Sequence, residues 1–322
     1  MRKAWPVFLL LALAVQCSAQ TSADPQYEGS LGPVSYNGGF ILNWDSPAYT
    51  QVSIYGPDRK IEYSNALRTS DGWFYDVWAL DSDGIAARGS TWQGPGKHEG
   101  RIELLDRAGK PVQTIKTGSY LPQHVVFAPD HTLWTIGYEE DYDSRAEDFN
   151  VLRHYARNGE EIGQGLPWLQ IAVDFNAYSS FQACLGCNQL YATNDRIGFW
   201  LHLYEGRGTW IEISTAGTLL GKYDLGKYHE LYYQPRAMTA GGSVYARIFK
   251  EDRFNGWAVL DRSKNRWRRV SGYPKGVIIG SDRENIIFSQ HDGAWTVLHS
   301  VSPESLRVEP LKQETAAVAP HE

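Results

Sequence analysis

An all-β architecture, a β-propeller of six four-stranded antiparallel blades, follows from the sequence on three grounds. A hairpin recurs about six times at intervals of roughly 40–60 residues, the spacing of a propeller array. A longer strand-turn-strand string recurs beside several of these hairpins. Aromatic residues make up 13% of the 322-residue chain, enough to fill the layers between neighbouring sheets of one domain.

The hairpins read S-I-Y-G-P-D-R-K-I-E-Y around Asp58, I-E-L-L-D-R-A-G-K-P-V around Ala108 and L-R-H-Y-A-R-N-G-E-E-I around Asn158. Three more follow: I-E-I-S-T-A-G-T-L-L around Ala216, A-V-L-D-R-S-K-N-R-W around Ser263 and V-L-H-S-V-S-P-E-S-L-R-V around Pro303. Each sets a polar turn between two alternating strands, and Gly, Asn and Asp supply the positive φ that tight hairpins need. In the longer string, Tyr120 opens an inner strand, Pro129-Asp130 turns, and a second strand begins at Leu133. Asp83-Gly84, Asp195 and Asp282 mark the same turn in other copies. Val125-Val126-Phe127 runs apolar without alternation, as expected where both faces of a sheet are covered.

Along the chain, residues 1–19 read as a secretory signal peptide. Arg2 and Lys3 precede an apolar run from Val7 to Val15, and Cys17-Ser18-Ala19 offers small residues for cleavage after Ala19. That run, about nine residues, is shorter than the roughly 20 that span a bilayer. The expected address is periplasmic or extracellular, with no membrane span. Residues 20–311 form the single propeller domain, and the Ala-, Glu- and Pro-rich residues 312–322 read as a disordered tail. The first copy keeps only a short inner strand before Asn37-Gly38-Gly39, and an insertion from Trp168 to Cys187 precedes the fourth. A seventh blade hidden in that insertion is the alternative architecture. Two ways of closing the ring stand open: the strand Ser305–Leu311 completes the last blade, or the stretch Gln26–Leu31 adds to it.

The pattern Y-x-P-x-x-V-x-F-x-P-D-x-x-L-W and the turn strand Gly109-Lys110-Pro111-Val112 resemble those of secreted six-bladed propellers of the NHL-repeat and TolB-like kind. The resemblance covers most of residues 20–311 and implies the fold more than an activity, because propellers carry many unrelated functions. The blades are also similar in outline to lactonase-like propellers, which implies a divalent metal held by inward carboxylates. A full ligand set is not matched here; Asp76, with Glu230 behind it, is the carboxylate placed on an inner strand. Lyase-type propellers depend on a His and a divalent cation, and His124 alone does not carry that likeness.

Charge narrows the partners. The 31 Lys and Arg against 37 Asp and Glu give a net charge of −6, and loss of Arg2 and Lys3 with the leader makes it more negative still. No long basic run occurs, so nucleic acid and acidic lipid are excluded as partners. No phosphate-binding Gly loop, G-x-S-x-G elbow or H-E-x-x-H pair is present.

The loops joining second to third strands, and blade to blade, are the longer set, so the site is expected on their side. Polar residues where each blade begins are expected to converge on the central channel as the binding set: Tyr120, Gln123 and His124; His229, Glu230, Tyr232, Tyr233 and Arg236; and Lys275, near Tyr273. Asp76 and His124 are the candidate proton-transfer groups of a metal-assisted hydrolase or lyase. Asp141, Asp143 and Glu147, in a loop dense with carboxylates, are the candidate ligands of a Ca²⁺ ion, although they lack the third acidic ligand and the glycine of an EF-hand loop. Cys184 and Cys187 read as a local disulfide in an oxidising compartment. Asn188 stands where covalent haem attachment wants His, and two cysteines do not complete a zinc tetrahedron. Trp92, Tyr138, Tyr142, Trp168, Tyr178, Phe181, Tyr232 and Tyr233 are the aromatics a sugar-binding face would use, whereas Trp134, Trp200, Trp257, Trp267 and Trp295 read as packing between sheets. The leading function is a non-catalytic binding or protein-interaction module of the cell envelope, its partner an envelope or extracellular protein, a small molecule or a glycan. The metal-assisted enzyme and the carbohydrate-binding module are the alternatives.

Overall fold

The computed structural model describes residues 26–27, 30–34, 40–46, 49–56, 60–67, 74–81, 84–92, 98–108, 110–139, 148–172, 190–202, 206–282, 284–292 and 295–309. They are almost entirely strand. After β1 (Gln26–Tyr27), the first meander comprises β2 to β5 (Ser30–Val34, Phe40–Ser46, Tyr49–Tyr55, Ile61–Leu67). The second comprises β6 to β9 (Phe74–Leu80, Gly84–Trp92, His98–Asp106, Pro111–Gly118). The third comprises β10 to β13 (Tyr120–Phe127, Leu133–Glu139, Asn150–Tyr155, Glu161–Pro167), followed by the short helix α1 (Trp168–Ala172). The fourth comprises β14 to β17 (Leu190–Ala192, Arg196–His202, Arg207–Ser214, Leu219–Lys227). The fifth comprises β18 to β21 (Leu231–Met238, Val244–Lys250, Arg253–Asp261, Arg266–Ser271). Last come β22 to β24 (Val277–Asp282, Asn285–Asp292, Trp295–Val301) and β25 (Arg307–Val308).

Every pairing within a meander is antiparallel and follows chain order. The fourth and fifth meanders join through a single pair, Gly226 with Tyr232. Gly226 has φ +79°, and a Cβ there would collide with the Leu231 carbonyl, so only glycine fits this junction. β1 pairs with β24, Gln26 opposite Val297 and Tyr27 opposite Thr296. Of the two closures left open by the sequence, the N-terminal strand is the one on the edge of the last sheet. The strand expected from Ser305 onward goes elsewhere. The 3-10 turn Pro303–Ser305 redirects the chain, and Arg307 and Val308 pair with Ser271 and Val270 of β21 instead of with β24.

The strands that open successive meanders are neighbours in space. β2 lies beside β6, β6 beside β10, β10 beside β14, β14 beside β18, β18 beside β22, and β22 beside β2. Among the described residues, four cores fill layers between sheets. Ile102, Val125 and Leu133 meet between the second and third, and Trp134, Leu166, Phe199 and Ile211 between the third and fourth. Trp210, Tyr232, Ala246 and Trp267 meet between the fourth and fifth, and Trp257, Ile278 and Phe288 between the fifth and the last. A sheet packed on both faces explains β11, whose first five residues are all buried. The outermost β9 is exposed over its first four.

Arginines of the hairpin turns tie the sheets together, a role the sequence reading did not assign. Arg107, in the turn before β9, pairs with Glu62 of the first meander. Arg157, in the turn before β13, reaches Asp81 of the second at 3.4 Å, where His131 Nδ1 also meets the carboxylate at 2.8 Å. Arg262, in the turn before β21, donates to Glu212 of the fourth at 2.6 and 2.8 Å. The copies D-R-A-G, A-R-N-G and D-R-S-K thus carry a repeated strap besides their turn chemistry.

Candidate functional site

Five of the six opening strands carry a register shift where they meet the second strand. The shifts fall between Leu31 and Val34, Tyr75 and Val77, Pro122 and His124, Pro235 and Ala237, and Ile278 and Gly280. A bulge takes a residue out of the ladder, bends the strand and re-aims the side chain. Three residues so released are polar: Asp76, Gln123 and Arg236. All three stand among the sequence-predicted residues, and the bulge is the shared backbone feature that the sequence did not announce. β6 is described at Asp76, but the Asp76 side chain lies outside the described residues.

The other predicted residues divide. Gln123 and His124 are half-buried on β10. Tyr120 is a correction: it is 0% exposed, its hydroxyl donates to the Val151 carbonyl at 3.0 Å and lies 3.2 Å from Thr135 Oγ1. Burial pushes that phenol well above its ordinary range, and the Arg153 guanidinium covers its ring at 4.2 Å. Tyr120 therefore braces the third sheet instead of facing a channel. Tyr232 is a second correction, 2% exposed and set edge-on to Trp200 in the core of the fourth and fifth sheets. Tyr233 stacks on Trp267 at 5.5 Å, a packing contact. Trp168 is buried in α1 with Phe149 stacked on it, so it belongs to the core and not to a sugar-stacking face.

His229 and Glu230 lie in the exposed turn before β18. His229 Nδ1 is 2.5 Å from Asp252 Oδ2, and Glu230 pairs with Lys227 at 2.9 Å. Lys275 is exposed ahead of β22. The structure thus places Gln123, His124 and Arg236 on the opening strands and leaves His229, Glu230 and Lys275 outside them.

Arg236 has company that the sequence reading missed. It donates through Nη2 to Gln234 Oε1 at 2.8 Å. Gln234 is the cross-strand partner of Arg247, so their side chains share a face of the fifth sheet. Burial, and then the neighbouring Arg236 charge, lower the Arg247 pKa. Tyr191, on the opening strand of the fourth meander, feels the Arg236 charge too, although burial dominates and holds its phenol neutral. Arginine on an interior strand of alternating apolar residues was the available signal: V-Y-A-R-I-F-K over β19 puts Arg247 on the same face as Tyr245.

Trp134, Trp200, Trp257 and Trp267 are buried between sheets as expected. Tyr138 is half-buried against the core of the third and fourth sheets. Asp141, Asp143, Glu147, Cys184, Cys187, Tyr142, Tyr178 and Phe181 lie outside the described residues, as do the leader and the tail. Among the described residues no group of three His, Cys, Asp or Glu side chains gathers as metal ligands, and no helix is long and apolar enough to cross a membrane.

No protein-family model matches the chain, and no curated protein does. Solved structures similar to it include a puromycin-hydrolysing peptidase of Mycobacterium tuberculosis, at 10% identity and TM-score 0.45, over 88% of this chain and 47% of that one. TolB from Acinetobacter baumannii is similar at 11% identity and TM-score 0.46, over 84% of this chain and 62% of that one. The β-propeller domain of the Trilobed protease from Pyrococcus furiosus, described as having an open velcro topology, is similar at 11% identity and TM-score 0.45, over 88% of this chain and 84% of that one. The chain spans about half the length of the peptidase and under two thirds of TolB. At TM-scores below 0.5 none of these likenesses assigns it a family or an activity.

Proposed function

We propose that residues 20–311 form a six-bladed β-propeller, exported by residues 1–19, that acts as a non-catalytic binding or protein-interaction module of the cell envelope. The cyclic adjacency of the six opening strands and the pairing of β1 on β24 support the closed ring. One observation carries the functional reading: the opening strands, whose free edges face the axis of such a ring, carry bulges that release Asp76, Gln123 and Arg236 from the ladder. A strand that needed only to pack has no use for polar residues freed at its inner edge. Bulges commonly re-aim side chains beside functional sites. The partner is an envelope or extracellular protein, a small molecule or a glycan held at the axis and at the longer-loop mouth.

Mature protein and an Asp76→Ala/Gln123→Ala variant, each immobilised and exposed to envelope extract, test this reading by mass spectrometry of what they retain. The wild type is expected to hold a reproducible species that the variant, folded by circular dichroism, loses by at least about tenfold. Equal retention by the folded variant, or nothing retained by the wild type, contradicts it.

A further inference from the structure

Among the described residues, two guanidiniums of the fifth meander stand without a counter-charge. Arg236 and Arg247 are both half-buried. Among the described residues neither forms an ion pair, and the Nε of each is buried without a hydrogen-bond partner. Arg236 has the neutral Gln234 carboxamide at 2.8 Å. The Arg247 guanidinium carbon lies 5.0 Å from the Phe249 centroid and 5.7 Å from that of Phe254. Several other interior arginines among the described residues are paired with carboxylates: Arg153 with Glu139 and Glu161, and Arg262 and Arg196 with Glu212. Removing charge from water without a partner is costly, and two like charges on either side of one carboxamide add to that cost.

We infer that Arg236 and Arg247, flanking Gln234 on the inner strands of the fifth meander, form a subsite for the oxyanion of a small ligand, a carboxylate or a phosphoryl group. This rests on the axial binding site proposed above and gives it a chemistry. The planar fork of each guanidinium matches two oxygens of either anion, and charge-assisted bonds of this kind are the strong ones. Gln234 fixes the Arg236 fork. Phe249 and Phe254 hold the Arg247 group by cation–π contact, which uses none of its N–H donors. Phe254 is 47% exposed, so an apolar body attached to the anion meets an apolar surface beside it. The lowered Arg247 pKa fits a pair that lacks the negative charge it is built to receive.

Isothermal titration of the mature protein with sodium phosphate and with sodium acetate, at ionic strength held constant with sodium chloride, tests the subsite. At least one anion is expected to bind at one equivalent, with Arg236→Gln and Arg247→Gln each weakening it by at least about tenfold. Arg236→Lys, which keeps the charge and loses the fork, is expected to fall between, and carries the test should Arg236→Gln not fold. Phosphate without acetate assigns a phosphoryl ligand; binding of acetate assigns a carboxylate. Failure of both anions to bind, or binding unchanged in both Gln variants, overturns the subsite. Should the Asp76→Ala/Gln123→Ala variant still lose its captured species in that case, the binding module stands and the oxyanion chemistry alone is wrong.

Discussion

Glu212→Ala is expected to lower the unfolding free energy by about 3–5 kcal/mol, the cost of leaving a buried ionic group without its partner. The Glu212 side chain is 1% exposed, whereas those of Arg262 and Arg196 are 28% and 22% exposed. Its two oxygens accept from Arg262 at 2.6 and 2.8 Å, from Arg196 at 3.3 Å and from the Trp210 indole at 2.8 Å. Arg262 also donates to the Gly242 carbonyl. One carboxylate thus holds the turn before β21 against the core of the fourth sheet, and its loss removes the acceptor of four N–H donors on three side chains. Glu212→Gln keeps acceptor capacity toward Trp210 and is expected to cost less. Glu230→Ala removes an exposed pair with Lys227 and serves as the control, expected within about 1 kcal/mol of wild type. Denaturant midpoints check all three. Equal midpoints for Glu212→Ala and Glu230→Ala would mean that the straps between sheets do not hold the fold.

Trp257→Ala is expected to cost about 3–5 kcal/mol through the cavity it leaves. Trp257 is 0% exposed and sits between the fifth sheet and the last. Its ring lies 5.5 Å from Phe254, 5.8 Å from Phe288 and 6.4 Å from Tyr273, each edge-to-face. Phe288 and Tyr273 stack on each other at 6.3 Å, so the indole is one side of a three-ring cluster. Trp257→Phe keeps most of the packing and is expected to lose less. A loss under about 1 kcal/mol for the alanine variant would place it among ordinary surface substitutions and contradict the layer.

Much of the architecture is legible in the residues because hairpin chemistry is local. The Pro129-Asp130 turn and the strand opening at Leu133 stand where the string placed them, with His131 at φ +67° closing the turn. The place of the N-terminal strand was not legible. Two residues, Gln26 and Tyr27, pair across nearly the whole chain with β24, and a pair that short has no periodicity to read. The site was half legible. A strand's period of two says which residues share a face, but not which neighbouring sheet covers that face or how deeply. Tyr120 and Tyr232 begin their strands with polar atoms and so looked axial, yet Tyr120 is buried against its own sheet and Tyr232 between the fourth and fifth. Asp76, Gln123 and Arg236 were found as polar groups where the blades begin, and the bulge that frees them depends on register with the second strand. Gln234 and Arg247 were missed because their meaning arises across that register. The arginines of the turns were missed because their partners lie one meander back.

The proposed axial site rests on a ring that closes at β1 and so would bring six opening strands to one axis. Paired cysteines at Gln26 and Val297, and separately at Tyr27 and Thr296, test it in the oxidised mature protein. Opposed residues of an antiparallel pair lie within disulfide reach, and peptide mapping without reductant finds the link. At least one of the two pairs is expected to join the N-terminal strand to β24 in folded protein. Folded protein in which neither pair links would show that β1 does not lie on β24, and the axial site would lose the ring that assembles it.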